Sequence, residues 1–150
     1  MPNVTIAGTD IDVWEGGNGP PLLFLHGAGG FRPGPAYLDL IGKERRIVAP
    51  SHPGFGRSGL ADWMDRPDDI AHMYWELADR LGTDQFDLVG TSFGGWIAAE
   101  MATMQPQRIR RLVLVAPAGV TVSATSTAGS VMVTGIAGRT TAGSTAGGVA

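Results

Sequence analysis

The chain has 150 residues, a length that suits one domain with a single hydrophobic core. Apolar residues make up 43% of it and charged residues 17%, and the net charge of −3 comes without any dense run of Lys and Arg, which argues against nucleic-acid binding. Cysteine is absent, so disulfides and thiolate chemistry are excluded. The first residues lack the basic-then-apolar pattern of a signal peptide, and no apolar run approaches the roughly 20 residues that span a bilayer. We therefore expect a cytoplasmic protein that binds neither nucleic acid nor membrane.

The first part of the sequence reads as a set of short strands. Residues 4–6 and 11–14 flank Gly8, Thr9 and Asp10, which predicts an antiparallel hairpin with its turn at residues 8–10. Continuous apolar runs follow at residues 22–25, 46–49, 86–89 and 112–115. Continuous rather than alternating apolar runs are typical of parallel strands that are buried on both faces.

Helical patterns lie between these runs. Pro67, followed by two acidic residues, predicts a helix start, and the apolar residues recur at helical spacing up to Leu81, with Gly82 as the stop. Residues 93–104 predict a second helix that ends before Pro106. Strands that alternate with helices predict an α/β fold, here a mostly parallel sheet with an amino-terminal antiparallel hairpin and flanking helices.

The strongest chemical signal is the pattern G-x-S-x-G formed by Gly90, Ser92 and Gly94. It follows the apolar run 86–89 and precedes the helix predicted at 93–104. A serine on such a sharp strand-to-helix turn sits in strained backbone geometry, and its neighbours two residues away must lack bulk. Ser92 is then exposed at the carboxyl edge of the sheet, where the helix amino terminus favours developing negative charge. The pattern predicts Ser92 as a nucleophile.

A glycine-rich loop, residues 26–30, follows the apolar run 22–25. Such a loop can aim backbone N–H groups at an oxyanion, and one lost donor typically costs about 3 kcal/mol of barrier. The partner donor would be the amide of Phe93, directly after Ser92. We interpret His26, which opens this loop, as a structural residue rather than a base.

A third glycine pattern lies at residues 49–59, where Gly54, Gly56 and Gly59 satisfy G-x-G-x-x-G. The dinucleotide-binding fingerprint needs a helix that opens at once, whereas residues 60–66 read as a loop. The context therefore gives little support to a small nucleotide-binding domain, which ranks below the two hypotheses that follow, a hydrolase and a non-catalytic fragment.

The loop 26–30, the segment 51–58 and the turn 90–94 occur in the order and with the separations of the α/β-hydrolase superfamily. The chain resembles the branch that holds small esterases, carbon–carbon bond hydrolases, epoxide hydrolases and cofactor-free haloperoxidases. The resemblance covers residues 1 to about 117, including 111–117, which resemble the strand after the nucleophile helix. It implies a partial α/β-hydrolase fold, a Ser–Asp–His triad in that chain order, an acyl-enzyme, and hydrolysis of a small ester, amide or carbon–carbon bond. By position, it implies Ser92 as nucleophile and the backbone amides of Ala28 and Phe93 as the oxyanion hole, and a serine there argues against epoxide hydrolases and dehalogenases. We expect a small-molecule substrate, no cofactor and no metal.

The sequence departs from the family pattern after the nucleophile. The family places its acid and histidine on later strands, but no Asp, Glu or His follows Glu100 here. The three histidines, His26, His52 and His72, all precede Ser92. We expect His52 to be structural, like His26, and His72 to be solvated. We therefore expect no imidazole within hydrogen-bond distance of Ser92 and poor ester hydrolysis, because a serine hydroxyl without a base is a weak nucleophile.

The composition changes near Gly119, after which Thr, Ala, Gly, Ser and Val dominate and Arg139 is the only charge. We predict residues 1–117 as the amino-terminal half of a hydrolase core and 118–150 as a disordered or poorly packed tail. Residues 131–136 could form one short strand, and otherwise the strand 112–115 has an open edge that invites self-association.

Two explanations remain open: a truncated or frame-shifted hydrolase, or a short protein that completes its site with a partner or has lost catalysis. A non-catalytic binding fragment or pseudoenzyme that keeps the serine turn is thus the alternative to a hydrolase. The substrate cannot be read from the sequence.

Overall fold

The computed structural model describes residues 3–33, 35–120, 123–124, 131–134 and 141–142. The main strands are β1 (Asn3–Ile6), β2 (Thr9–Gly16), β3 (Pro21–Leu25), β4 (Arg46–Pro50), β5 (Phe86–Thr91), β6 (Ile109–Val115) and β8 (Val131–Thr134). Two short strands, β7 (Ser123–Ala124) and β9 (Thr141–Ala142), pair with each other. The helices are α1 (Ala36–Gly42), α2 (Pro67–Asp79) and α3 (Phe93–Met104), and a 3₁₀ turn covers Pro106–Arg108.

The main sheet has the strand order β1-β2-β4-β3-β5-β6-β8. β1 with β2 and β2 with β4 are antiparallel pairs, whereas β4, β3, β5, β6 and β8 run parallel. The predicted α/β class, with a mostly parallel sheet, an amino-terminal antiparallel hairpin and flanking helices, is confirmed. Because parallel strands deliver their loops to one carboxyl edge, the segments after β3, β4 and β5 meet there.

The hairpin turn lies one residue earlier than predicted. Ala7 and Gly8 form it, with φ of +48° and +75°, and Thr9 and Asp10 already belong to β2, where Thr9 faces Ile6. Positive φ at both central residues is typical of the two-residue turn whose twist matches that of the strands. The predicted turn at residues 8–10 is therefore displaced, because Thr9 and Asp10 pair with Ile6 and Thr5 and leave only Ala7 and Gly8 in the turn.

Alternate residues of the strands face two different layers. Leu23 and Leu25 point to the side of α2 and α3, where the larger core lies, and Leu22 and Phe24 point to the side of α1. Helix α2 begins at Pro67, as predicted, and ends three residues before the predicted Gly82. Helix α1 was not predicted, because it is short and only its Leu38 is buried, so no apolar stripe marks it.

The α1 face of β5 and β6 is partly open. A cavity of about 630 Å³ lies there, lined mainly by apolar side chains that include Phe24, Tyr37, Leu40, Val89 and Val113. Its lining does not include Ser92. The cavity is therefore distinct from the site at the carboxyl edge.

Strand β8 pairs in parallel with β6, with Val131 opposite Leu112 and Thr134 opposite Val115. The short strand considered for residues 131–136 therefore forms over its first four residues, and β6 is not the last strand of the sheet. Most of the segment for which disorder was predicted lies outside the described residues, so that prediction and the boundary near residue 117 stay predictions. Self-association through a sheet edge also stays a prediction.

Candidate active site

Ser92 lies between β5 and α3, as the G-x-S-x-G pattern predicts. Its φ is +49° and its ψ is −113°, a backbone conformation that costs a residue with a side chain on the order of 1–3 kcal/mol. Hydrogen bonds hold the turn in place: the Ser92 amide donates to Val115 O at 2.9 Å, and the Ala118 amide donates to Ser92 O at 2.9 Å. The side chain is exposed. The strain is thus imposed by β6 and the segment after it.

Glycine is required on both sides of Ser92. A Cβ on Gly90 would lie 2.8 Å from the Ala98 Cβ, and one on Gly94 would lie 2.5 Å from His26 O and against Leu25 O. These contacts are with main chain or with a short side chain that cannot move away. The spacing of the pattern therefore reflects the close approach of α3 to the ends of β3 and β5.

The glycine-rich loop lies beside the serine. A Cβ on Gly27 would come 3.2 Å from the Ser92 Cβ, and the Gly30 amide closes a tight turn by donating to Gly27 O at 3.0 Å. Ala28 is exposed in this turn. Phe93 is the first residue of α3, so its N–H has no acceptor within the helix. The two segments predicted to supply oxyanion donors are therefore both adjacent to Ser92.

His26 and His52 form a buried pair behind the loop, with ring centroids 3.9 Å apart. The His52 backbone N–H donates to His26 Nε2 at 2.9 Å, and His26 Nδ1 lies 2.6 Å from Gly27 O. His52 Nε2 lies 2.7 Å from His26 O, and His52 Nδ1 lies 2.6 Å from the Tyr74 hydroxyl. Every ring nitrogen of the pair thus has a partner other than Ser92.

The partners fix the protonation of both rings. A backbone N–H can only donate, so His26 Nε2 carries no proton and Nδ1–H donates to Gly27 O. A carbonyl can only accept, so His52 Nε2–H donates to His26 O and its Nδ1 accepts from Tyr74. Burial lowers the pKa of His26, and burial together with the nearby His26 lowers the pKa of His52 to about 3. Burial also raises the pKa of Tyr74 well above its ordinary value, so its hydroxyl keeps its proton.

The interpretation of the histidines as structural is confirmed for His26 and His52, and His72 is exposed on α2. None of the three donates to or accepts from Ser92. Within the described ranges, the Ser92 side chain has no hydrogen-bond partner. The geometry therefore presents a strained, exposed serine without an activating base among the histidines.

The segment 51–59 is a series of turns fastened to β2. The Ser51 amide donates to Asp12 O and the Gly59 amide to Asp10 O, both at 2.8 Å, and the Ser58 hydroxyl donates to Ser51 O at 2.8 Å. Arg57 pairs with Asp12 at 3.1 Å. The next helix, α2, begins only at Pro67. The loop context that counted against a nucleotide fingerprint in this segment is confirmed.

Sequence reasoning missed two polar residues that shape the molecule. Tyr74 falls at the apolar helical spacing of α2, which gives no sign of a polar role, although the residue is completely buried and its hydroxyl is bonded to His52. Asp87, inside an apolar run, is buried at the opposite edge of the sheet and pairs with Arg45 and Arg110, each at 2.8 Å. Asp87 lies on β5, whereas Arg45 directly precedes β4 and Arg110 lies on β6, so this pairing can be recognised only once the strand order is known.

The part of the chain that the structure describes contains no group of three or more His, Asp and Glu side chains that could hold a metal ion. No helix in that part is both long and apolar enough to cross a membrane.

The comparisons with known proteins agree with this geometry. The chain is similar to 2-hydroxymuconate semialdehyde hydrolase of Pseudomonas sp. (strain CF600), with 37% identity over 131 residues that cover 78% of this chain and 43% of that protein. It is also similar to 2-hydroxy-6-oxo-2,4-heptadienoate hydrolase of Pseudomonas putida, with 33% identity and coverage of 78% and 44%. The chain thus spans less than half the length of these relatives.

Solved structures of hydrolases are also similar to this chain over less than half of their own length. A meta-cleavage product hydrolase from Pseudomonas fluorescens IP01 superposes with a TM-score of 0.69 and 26% identity, over 81% of this chain and 47% of that one. A bacterial membrane phospholipase A superposes with a TM-score of 0.72 and 29% identity, over 79% of this chain and 40% of that one. The family described as "alpha/beta hydrolase fold" matches residues 20–134, more than half of the sequence. The chain therefore belongs to the α/β-hydrolase family.

Proposed function

We propose that this chain carries the nucleophile half of a serine hydrolase site. Ser92 attacks a carbonyl carbon, and the backbone amides of Ala28 and Phe93 stabilise the oxyanion that forms. The observation that carries the proposal is the strained turn of Ser92, held at φ +49° with Gly27 packed against it. Such strain persists only where the surrounding structure imposes it, and it clusters at functional sites.

The electrostatics around Ser92 support an anionic intermediate. The first N–H groups of α3 point toward the turn and carry the positive end of the helix dipole. His26 and His52 are neutral, so the proposed stabilisation comes from these amides and not from an imidazolium charge. Preorganised amides at such a point stabilise developing negative charge more than water does.

We propose the substrate class from the names of the relatives. The names of both curated relatives describe hydrolysis of unsaturated oxo-acids or semialdehydes, and a solved neighbour is a meta-cleavage product hydrolase. Of the three bond types that the resemblance implies, we therefore place carbon–carbon bond hydrolysis of such a compound ahead of ester or amide hydrolysis. The complete site would need an acid and a base, and no Asp, Glu or His follows Glu100 in this chain.

We expect the chain by itself to be a poor catalyst. Removal of the base from a serine triad typically leaves about 10³–10⁴-fold acceleration over water, against roughly 10⁹–10¹⁰-fold for the intact triad. Turnover of p-nitrophenyl acetate should be barely above background, and Ser92→Ala should change it little. Robust turnover that is lost in both Ser92→Ala and His26→Ala would contradict the protonation states assigned above.

A fluorophosphonate probe tests the nucleophile more directly than turnover does. Slow labelling at Ser92, located by peptide mass mapping and absent in Ser92→Ala, supports the proposal. Labelling spread over several serines at equal rates counts against it. Such unselective labelling would favour the second candidate function, a non-catalytic fragment that keeps the serine turn. The hydrogen bonds of His26 and His52 also favour this candidate, because all four ring nitrogens bond groups other than Ser92.

A further inference from the structure

The buried histidine pair and Tyr74 are not used by the proposed chemistry, yet both histidines bond the loop that carries Ala28, and Tyr74 is bonded to His52. His52 is 0% exposed, His26 is 2% exposed and Tyr74 is 0% exposed. Burying polar groups is costly unless they are hydrogen-bonded, and an apolar side chain would fill the same space at no such cost. The three residues are joined in one chain of hydrogen bonds that begins on α2 and ends at Gly27 O.

The hydrogen bonds act on two successive peptide units of the loop. His52 Nε2–H donates to His26 O at 2.7 Å, which fixes the direction of that carbonyl. In a trans peptide the C=O and the following N–H point in opposite directions, so the orientation of the Gly27 N–H is fixed as well. His26 Nδ1–H holds the next carbonyl, Gly27 O, at 2.6 Å. Two successive peptide units of the loop are therefore oriented by side chains behind it.

The same peptides also lie against the serine turn. Gly94 lies so close to His26 O that a Cβ there would be 2.5 Å away, and Gly27 lies against Ser92. The loop therefore packs between α3 and the histidine pair. A change in the direction of the His26 carbonyl would move Gly27 and Ala28 relative to Ser92.

We propose that His52 and Tyr74 are positioning residues: they orient the His26–Gly27 peptide and, through it, the Ala28 amide beside Ser92. The proposal rests on the function proposed above insofar as the Ala28 amide serves as an oxyanion donor. The His26 carbonyl places the proton on His52 Nε2, and the Tyr74 hydroxyl supports this tautomer by donating to His52 Nδ1. Without that hydroxyl, His52 Nδ1 is a buried acceptor with no donor, and the ring is no longer held at both nitrogens in the orientation that bonds His26 O.

The test compares four variants of the full chain. Tyr74→Phe removes only the hydroxyl, His52→Leu removes both ring hydrogen bonds, and His52→Gln keeps a side-chain amide that can donate to His26 O. His72→Leu, an exposed histidine on the same helix as Tyr74, is the matched control. Two readouts are recorded on folded protein: the amide and imidazole ¹⁵N resonances, and the rate of fluorophosphonate labelling at Ser92.

We expect His26 to be protonated at Nδ1 and His52 at Nε2 in the wild type. In Tyr74→Phe and His52→Leu, the amide resonances of residues 27–29 shift, and labelling slows by about 10²-fold, the typical effect of a misplaced catalytic group. His52→Gln restores most of both, and His72→Leu changes neither. Loss of stability alone would not move these amides in the folded state, so the resonances separate positioning from a merely structural role.

Unchanged resonances of residues 27–29 in folded Tyr74→Phe would overturn the inference, and so would the opposite tautomers in the wild type. If His52→Leu does not fold, Tyr74→Phe decides the question, because it leaves both rings in place. If the wild type and Ser92→Ala label equally, the function proposed above fails, and the amide resonances still decide whether His52 and Tyr74 orient the loop.

Discussion

The neutral state of His52 makes the stability of the fold depend on pH. In the folded chain, burial and the nearby His26 lower the pKa of His52 to about 3, whereas an unfolded histidine titrates near 6.5. Between these two values the unfolded chain binds the proton and the folded chain does not. Stability therefore decreases as the pH falls from about 6.5 toward 3, and it is fully retained above that window.

The magnitude follows from the two pKa values. Integrated from pH 7 to pH 5, the difference in proton binding at His52 lowers the free energy of unfolding by about 2 kcal/mol. The lowered pKa of His26 acts in the same direction. Carboxylates titrate mostly below this range. For Asp87, burial raises the pKa, but the hydrogen bonds and charges of Arg110 and Arg45 outweigh it, so its net shift is downward and its contribution is lost only at lower pH.

Urea unfolding at pH 7, 6 and 5, followed by the fluorescence of the four tryptophans, measures this slope. His52→Gln should lose most of the pH dependence, because the titrating group is gone. His72→Gln is the matched control and should keep the dependence, since its side chain is exposed in the folded chain. An unfolding free energy that is the same at pH 7 and pH 5, or a pH dependence that is undiminished in His52→Gln, would refute the assignment of a buried neutral pair.

Three further predictions concern stability, each read from urea or thermal unfolding. Ser92→Gly should raise the free energy of unfolding by about 1 kcal/mol, because glycine removes the strain at φ +49°, whereas Ser92→Ala keeps a Cβ and gains nothing from this source; equal effects would argue against strain. Gly94→Ala should lower the free energy of unfolding by about 3 kcal/mol or more, because its Cβ would contact the main chain at the end of β3. Gly29→Ala, where a Cβ meets nothing within 4 Å, should lower it far less. Similar decreases in both variants would count against the close packing at Gly94. Asp87→Asn should lower the free energy of unfolding by on the order of 2–3 kcal/mol, because it removes the charge paired with Arg45 and Arg110. Asp84→Asn, at an exposed position, should leave the free energy of unfolding nearly unchanged. An unchanged stability in Asp87→Asn would mean that water solvates the two arginines adequately without the carboxylate.

Much of the site could be predicted from the sequence because its requirements are local. The strand-to-helix turn at Ser92 needs glycine at positions 90 and 94 and an apolar strand before it, and these features are adjacent in the chain. Apolar runs without alternation indicated strands buried on both faces, which is why β3, β4, β5 and β6 were located to within a few residues.

The limits of sequence reasoning appear where the partner of a residue is distant in the chain. Helix α1 has no apolar stripe to reveal it, and the turn of the hairpin was displaced because Ala7 adopts a positive φ that side chains seldom adopt. Tyr74 fits the apolar spacing of α2 equally well whether its hydroxyl is bonded or not.

The sequence by itself determined the fold class, the place of Ser92 and the absence of any Asp, Glu or His after Glu100, since each depends on residue type and spacing along the chain. Only the tertiary structure decided what the histidines do. His26, His52 and Tyr74 are separated by 26 and 22 residues, and their roles follow from hydrogen bonds that form when β3, β4 and α2 come together. Those bonds keep both rings neutral and occupied, because a backbone N–H must donate and a carbonyl must accept.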